Sequence, residues 1–360
     1  MESLVNHHKL KNFYNGKRVF ITGHSGFKGA WLTIWLHLLG AEIKGYALQQ
    51  ESDESIYNVV ACKIPHISVT ADIRDKTKLQ KEISDFKPDF IFHLAAQSLV
   101  RRSYKIPAET FEVNAIGTAN VLESLIYLQN KCTALIVTTD KVYENKEHDI
   151  LFKEHDRLGG HDPYSASKAC AEIVAQSFSK SFFDTEQFND HQKTIATVRA
   201  GNVIGGGDWN RDRIITDIVK HLRQGEKIPV RNPDAIRPWQ HVLEPLGGYL
   251  LLAGLLDKNR ELARSYNFGP EPGDHLKVKE LAKIAIDCWE SGEWLDVSDV
   301  NQPHEAGILK LDIGQAKQEL NWHPKLNSEL AVKWTIDWYR QKKNALYNFT
   351  LQQIRNYESL

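Results

Sequence analysis

Residues 19–29, Val-Phe-Ile-Thr-Gly-His-Ser-Gly-Phe-Lys-Gly, restrict what this chain can fold into more than any other stretch. Val19, Phe20 and Ile21 form a short apolar run suited to a buried parallel strand. Gly23, Gly26 and Gly29 follow at three-residue steps, and a helix-length apolar run from Ala30 is closed by Gly40. A strand, a glycine turn and a helix in that order let backbone come close to a pyrophosphate. The helix N-terminus then offers free N–H groups and a positive dipole end. The spacing is G-x-x-G-x-x-G rather than the G-x-G-x-x-G of most dehydrogenases, and by itself it also suits a plain helix-packing turn.

The chain after this turn keeps alternating. Strand-like runs at 42–48, 64–69, 90–96, 134–137 and 194–199 are separated by helix-like segments, among them 76–86, 107–129 and 164–183. That rhythm predicts an α/β fold built on a doubly wound parallel Rossmann sheet. Small residues closing the run 90–96 leave room for a ligand at the carboxyl end of its strand. An NAD site would place an acid for the adenosine ribose at the end of the 42–48 strand. Ala47, Leu48 and Gln49 stand there instead, and the next acid is Glu51. Beyond Ala200 the rhythm breaks into a glycine loop at 205–207, a charged helix at 211–224, a proline-punctuated stretch, a helix at 241–256 and a last strand near Tyr266. At 360 residues the chain has room for two units. We expect 1–203 and 238–269 to make a Rossmann domain, with 204–237 and 270–360 forming a smaller, mostly helical C-terminal lobe that binds substrate.

A formal net charge of −1 gives no reason to expect nucleic acid or an anionic membrane surface as a partner. The apolar stretches near 30–41 and 245–256 are too short to span a bilayer, and the first dozen residues lack the apolar core of a signal peptide. Cys62, Cys132, Cys170 and Cys288 include no C-x-x-C pair and read as free thiols of a reducing compartment, so a soluble cytoplasmic protein is expected. The fifteen histidines include no H-E-x-x-H cluster, and no metal is expected.

Tyr164 and Lys168 carry the clearest chemistry. Four residues apart on a helix, they share one face. A phenol ordinarily keeps its proton to about pH 10. A neighbouring ammonium and a cationic nicotinamide ring both favour the phenolate. Tyr164 would then accept a proton from a sugar hydroxyl while hydride leaves the same carbon. Asp140 and Thr139, at the end of the preceding strand, add a carboxyl and a hydroxyl, a plausible acid/base set.

These motifs resemble the extended short-chain dehydrogenases/reductases over residues 19–323, and within them the nucleotide-sugar 4,6-dehydratases. The resemblance rests on 22–29, Asp72-Ile73, His93-Leu94-Ala95-Ala96-Gln97, Thr139-Asp140-Lys141-Val142-Tyr143 and Tyr164-Ser-Ala-Ser-Lys168. Longer stretches, at 97–104, 199–209, 237–242 and 304–306, are similar to the branch of that family that acts on CDP-glucose. The resemblance implies CDP-glucose as substrate and NAD as a retained prosthetic group. Hydride would pass from sugar C4 to NAD, water would be lost across C5 and C6, and the hydride would return to C6. Catalysis would fall to Thr139, Asp140, Lys141, Tyr164 and Lys168. Gly23, His24, Gly26, Phe27, Lys28, Gly29, Asp72, Ile73, Leu94, Ala95, Ala96 and Gln97 would line the cofactor together with Tyr164 and Lys168. Gln97, Arg101, Asn202, Arg213, Arg231, Arg237, His304 and Glu305 would hold the sugar nucleotide, arginine forks matching phosphate oxygens. Relatives also pair the helices of 107–129 and 164–183 into a four-helix homodimer interface.

Two departures stand out. Relatives acting on dTDP-glucose carry Thr-Asp-Glu where this chain has Thr139-Asp140-Lys141, so the C5 base would be a neutral lysine, or Lys141 would be an electrostatic aid. His24 and Lys28 stand where relatives often carry small or apolar residues, and Lys28 either meets a phosphate or points to water. Other readings use the same fold. A dehydratase could act on another nucleotide sugar, a nucleotide-sugar 4-epimerase needs no acid for a C6 hydroxyl, and a non-catalytic NAD-sensing regulator needs no intact Tyr164 and Lys168.

Overall fold

The structure is a computed structural model that describes residues 5–146, 148, 150–210, 212–298 and 309–360. Seven parallel strands make the central sheet: β1 Arg18–Thr22, β2 Glu42–Ala47, β3 Ile67–Thr70, β4 Phe90–His93, β5 Cys132–Val137, β6 Lys193–Ala200 and β7 Ser265–Phe268. Across the sheet they lie in the order β7-β6-β5-β4-β1-β2-β3. The winding reverses between β1 and β4, where Thr22 is flanked by Tyr46 and His93. In an open parallel sheet that reversal opens a crevice at the carboxyl ends of the strands.

The main helices, in chain order, are α1 His7–Tyr14, α2 Phe27–Leu38, α3 Lys76–Phe86, α4 Gly117–Ile126, α5 Pro163–Ser181, α6 Ile214–Gln224, α7 Leu243–Leu256, α8 Val278–Trp289, α9 Ser328–Arg340 and α10 Leu346–Ser359. Alternate strand residues feed two cores. Val19, Ile21, Phe92, Leu135 and Val198 pack with α1, α2 and α7. Phe20, Ile91, Ala134, Ile136 and Ile195 pack with α3, α4 and α5. Burial on both faces is why these strands read as continuous apolar runs rather than alternating ones. The first core runs on without a break into Ile215 and Leu222 of α6, Leu281 of α8 and Ile336 and Trp338 of α9.

Local chemistry sets the details. Asp75 starts α3 by accepting from the Lys78 N–H, and Lys87 ends it in the left-handed conformation. The expected helix 107–129 is interrupted: a π-turn at Glu112–Ile116 separates Pro107–Phe111 from α4, which ends at Ile126. The turn frees Asn114, whose amide bonds both Gln97 backbone groups and the Ser167 hydroxyl. The third strand begins at Ile67 rather than Ile64, because Ile64 closes a short helical turn on Ala61. Helix α1 was not expected. It is capped by Asn6 and buries Leu10, Phe13 and Tyr14.

Candidate active site

The first βα turn is built as the glycines require. Gly23 has φ 76° and packs so closely that a Cβ there would sit 2.7 Å from the Ala95 nitrogen. A Cβ on Gly29 would meet the Gly23 carbonyl oxygen at 2.1 Å. Gly26 caps α2 without a side-chain bond among the described residues, so the first-turn N–H groups are left for an anion. Thr22 fixes the far wall. Its hydroxyl is 2.7 Å from His93 Nδ1 and accepts from the Ala95 N–H at 3.2 Å, while His93 Nε2 lies 3.0 Å from the Thr118 hydroxyl. A bare helix N-terminus at the switch point, behind a turn that tolerates no side chain, fits a dinucleotide.

The other expected cofactor residues lie on the elements around that turn. Phe27 and Lys28 open α2, and Leu94, Ala95 and Ala96 follow β4, all partly buried. The His24 ring fills the space over Gly45 of β2, with Nε2 2.7 Å from the Ser68 hydroxyl. Burial pushes its pKa down to about 4, with His66 adding to this, so the ring is neutral at pH 7. Ile73 is buried against Gly117. Asp72 is gripped by Arg74, which donates its N–H at 2.8 Å and Nη2 at 2.7 Å. Those bonds hold its carboxyl below the usual carboxylate range.

Strand β5 and helix α5 bring the acid/base residues together. Thr139, Asp140, Tyr164 and Lys168 are all buried. The Thr139 hydroxyl donates to Asp140 Oδ1 at 3.0 Å and acts on the Tyr164 phenol, opposing the rise of its pKa. Lys168 Nζ donates to the Val137 carbonyl at 2.8 Å. Burial pushes the Lys168 ammonium down to about 8, with Lys28 adding to this and Glu172 opposing it. Burial also raises the Tyr164 phenol, against the Thr139 hydrogen bond and the Arg213 charge. The Asp140 carboxyl is raised by burial too, against the pull of Lys141, Thr139, Lys28 and Arg237. Lys28 therefore does not simply face solvent: burial and Arg213 lower it to about 8, while Asp140 and Asp208 hold it up.

The expected substrate residues are more spread out. Arg213, at the N-cap of α6, reaches the Ser98 carbonyl at 3.4 Å. Arg231 pairs with Asp212 and Asp217 at 3.3 and 3.4 Å, and Arg101 lies 4.0 Å from Asp212. Arg237 donates to the Ile236 carbonyl, and the Asn202 carbonyl accepts from the Gln240 N–H. The Gln97 amide is committed to Leu99 and Thr110. His304 and Glu305 lie outside the described residues. Sequence reading missed Glu172, one turn beyond Lys168 on the same face of α5, and its partner Arg199. The i, i+4, i+8 spacing of Tyr164, Lys168 and Glu172 was the available signal.

A glycine turn at the switch point, with a buried Tyr–Lys pair beside it, defines an enzyme of the short-chain dehydrogenase/reductase class. The chain belongs to the GDP-mannose 4,6 dehydratase family, whose sequence model matches residues 20–335. It is similar to a CDP-glucose 4,6-dehydratase from Salmonella typhimurium, 44% identical over 336 residues covering 92% of this chain and 93% of that one. A dTDP-glucose 4,6-dehydratase from Streptomyces antibioticus is 26% identical over 90% of this chain and 93% of its own. The fold matches a dTDP-glucose 4,6-dehydratase from Streptomyces venezuelae solved with NAD, at TM-score 0.77 and 23% identity over 92% of this chain and 99% of that one.

Proposed function

We propose that this protein converts CDP-D-glucose into CDP-4-keto-6-deoxy-D-glucose and water. The observation that carries this is Asp140, a buried carboxyl bonded to Thr139, which in turn meets Tyr164, in a chain 44% identical to a CDP-glucose 4,6-dehydratase. A 4-epimerase has no use for an acid at that place. NAD held at the glycine turn would take the C4 hydride and return it to C6, leaving no net redox change. Every other step belongs to the chain's own residues.

Thr139 orients the C4 hydroxyl and Tyr164 takes its proton. Lys168, charged below about pH 8, stabilises the phenolate. The 4-keto group acidifies C5, and Lys141, half-buried beside Asp140, removes that proton. Asp140, whose carboxyl burial favours in the protonated form, gives its proton to the C6 hydroxyl, which departs as water. Lys141 returns the C5 proton as hydride arrives at C6. The lobe of 204–237 and 270–360 would hold the sugar nucleotide, with Arg213, Arg231 and Arg237 at its diphosphate. The protein would act as a cytoplasmic homodimer through 107–129 and α5. Exposed Ile116, Ile126, Tyr127, Ile173 and Phe182 support that interface, and free cysteines support the reducing compartment. Among the described residues no helix is long and apolar enough to cross a membrane.

The test is parallel incubation of the purified protein with CDP-glucose, dTDP-glucose and UDP-glucose, followed by mass spectrometry. Loss of one water from CDP-glucose is expected. An unchanged mass with inverted C4 would establish the epimerase instead.

A further inference from the structure

Thr138 and Tyr143 bracket the segment Thr139-Asp140-Lys141, and both end on one buried ion pair. Thr138 donates its hydroxyl to Glu172 Oε1 at 2.5 Å. The Tyr143 hydroxyl accepts from Arg199 Nη1 at 2.8 Å and donates to Asn267 at 2.7 Å, with the guanidinium 4.9 Å above its ring. Arg199 forks onto Glu172 through Nε and Nη2, both at 2.9 Å, and its Nη1 also donates to the Glu154 carbonyl at 2.9 Å. Thr197 supplies a further hydroxyl to Glu172 Oε2 at 2.7 Å. Both side chains of the pair are wholly inaccessible to solvent.

An ion pair this deep costs so much desolvation that well-packed apolar residues often stabilise a fold as well or better. Stability alone therefore does not account for it. Its placement does. Glu172 lies two turns beyond Tyr164 and one beyond Lys168 on α5, Arg199 lies on β6, and their partners flank the strand-end segment after β5.

We propose that Glu172 and Arg199 are positioning residues: their pair clamps the Thr139-Asp140-Lys141 segment against the Tyr164–Lys168 face of α5, so that base and acid address one bound sugar. The catalytic meaning rests on the dehydratase reading; the clamp itself does not. Neither residue needs to touch the reacting atoms. Misplacing a catalytic group by one ångström costs on the order of 100-fold in rate, so a small loosening of the bracket is enough to be seen.

The test uses the full-length protein and two variants. The double variant T138V/Y143F removes both bracketing hydroxyls and leaves the ion pair intact. R199K keeps the charge but loses the planar fork. Steady-state kinetics with CDP-glucose and amide hydrogen exchange are measured on each. The expected result for T138V/Y143F is a folded protein with KM within about twofold of wild type and kcat lowered at least about tenfold. Amides of 139–142 should exchange faster while those of β1 and β4 keep their protection. R199K should show the same pattern more strongly. Wild-type kcat and wild-type exchange in T138V/Y143F would overturn the clamp, and that variant decides the matter if R199K does not fold. If the unmodified protein forms no 4-keto product, the dehydratase reading fails, and the exchange data alone decide the clamp.

Discussion

In the proposed reaction Tyr164 is a base in surroundings that raise its pKa, and the residues around it act on that rise. Burial lifts the phenol, while a Thr139 hydrogen bond opposes the lift and Lys168 stands one turn along the same helix. Tyr164→Phe keeps the ring and its packing but removes the proton acceptor. Turnover should fall by about 10²–10⁴-fold with sugar-nucleotide binding retained, and near-wild-type turnover would remove Tyr164 from the chemistry. Lys141→Ala should still form the 4-keto sugar and reduced cofactor but lose proton abstraction at C5. Elimination from 5-deuterated CDP-glucose at the wild-type rate would show that Lys141 is not the base. Asp140 works protonated and Lys168 works charged, so both lose their working form as pH rises. Activity should stop rising near pH 8, where the buried Lys168 deprotonates while the raised Tyr164 phenol is still losing its proton. A rate that keeps climbing well past that pH would contradict these roles.

At the scale of elements, strands and helices that carry their own pattern were legible. The glycine turn and α2, helix α3 and the inner strands could be read because burial on both faces, capping and chain-ending residues are written locally. Helix α1 could not, because its short apolar face acquires meaning only against α7, where the Tyr14 hydroxyl meets the Leu250 carbonyl. The π-turn at Glu112–Ile116 has no local signature either. Asn114 is held there by Gln97 and Ser167, which are distant in sequence. The site shows the same division. The Tyr164–Lys168 spacing is written in one helix, whereas pairing Glu172 with Arg199 requires knowledge of which strand lies beside β5. The π-turn, α4 and α5 with the residues that close them leave Ile116, Ile126, Tyr127, Ile173 and Phe182 exposed, and these would meet a second copy. Ile173→Glu should convert a dimer to a monomer in light scattering at micromolar concentration, and a wild-type monomer there would refute the interface.

Across the whole molecule, the segment from Val5 and helix α10 meet around the helix that starts at the glycine turn. Trp35 of α2 donates to Glu358 of α10 at 2.7 Å, and Lys325 Nζ bonds the carbonyls of Val5 and Tyr357. Truncating a core tryptophan such as Trp35 to alanine costs about 3–5 kcal/mol, and Trp35 is wholly buried where α2 meets α10. Glu244 of α7 lies at the centre of this closure, accepting from the Lys325 and Leu326 N–H groups at 3.0 and 2.7 Å and from the Tyr357 hydroxyl at 2.9 Å. Burial raises it from 4.5 to about 7. The folded state therefore binds the extra proton between those values, and its contribution is full below pH 4.5 and lost as pH rises through 7. Glu244→Gln should remove that slope and leave the variant more stable than wild type at pH 8, by roughly 3 kcal/mol at most. Parallel denaturation curves at pH 5 and pH 8, with no difference between the two proteins, would contradict this.

In the proposed reaction one hydride leaves C4 and comes back at C6 within a single active site. CDP-glucose deuterated at C4 tests it directly. The expected product is one water lighter and carries the deuterium at C6. Deuterium retained at C4 of an epimer, or lost to solvent, would contradict it.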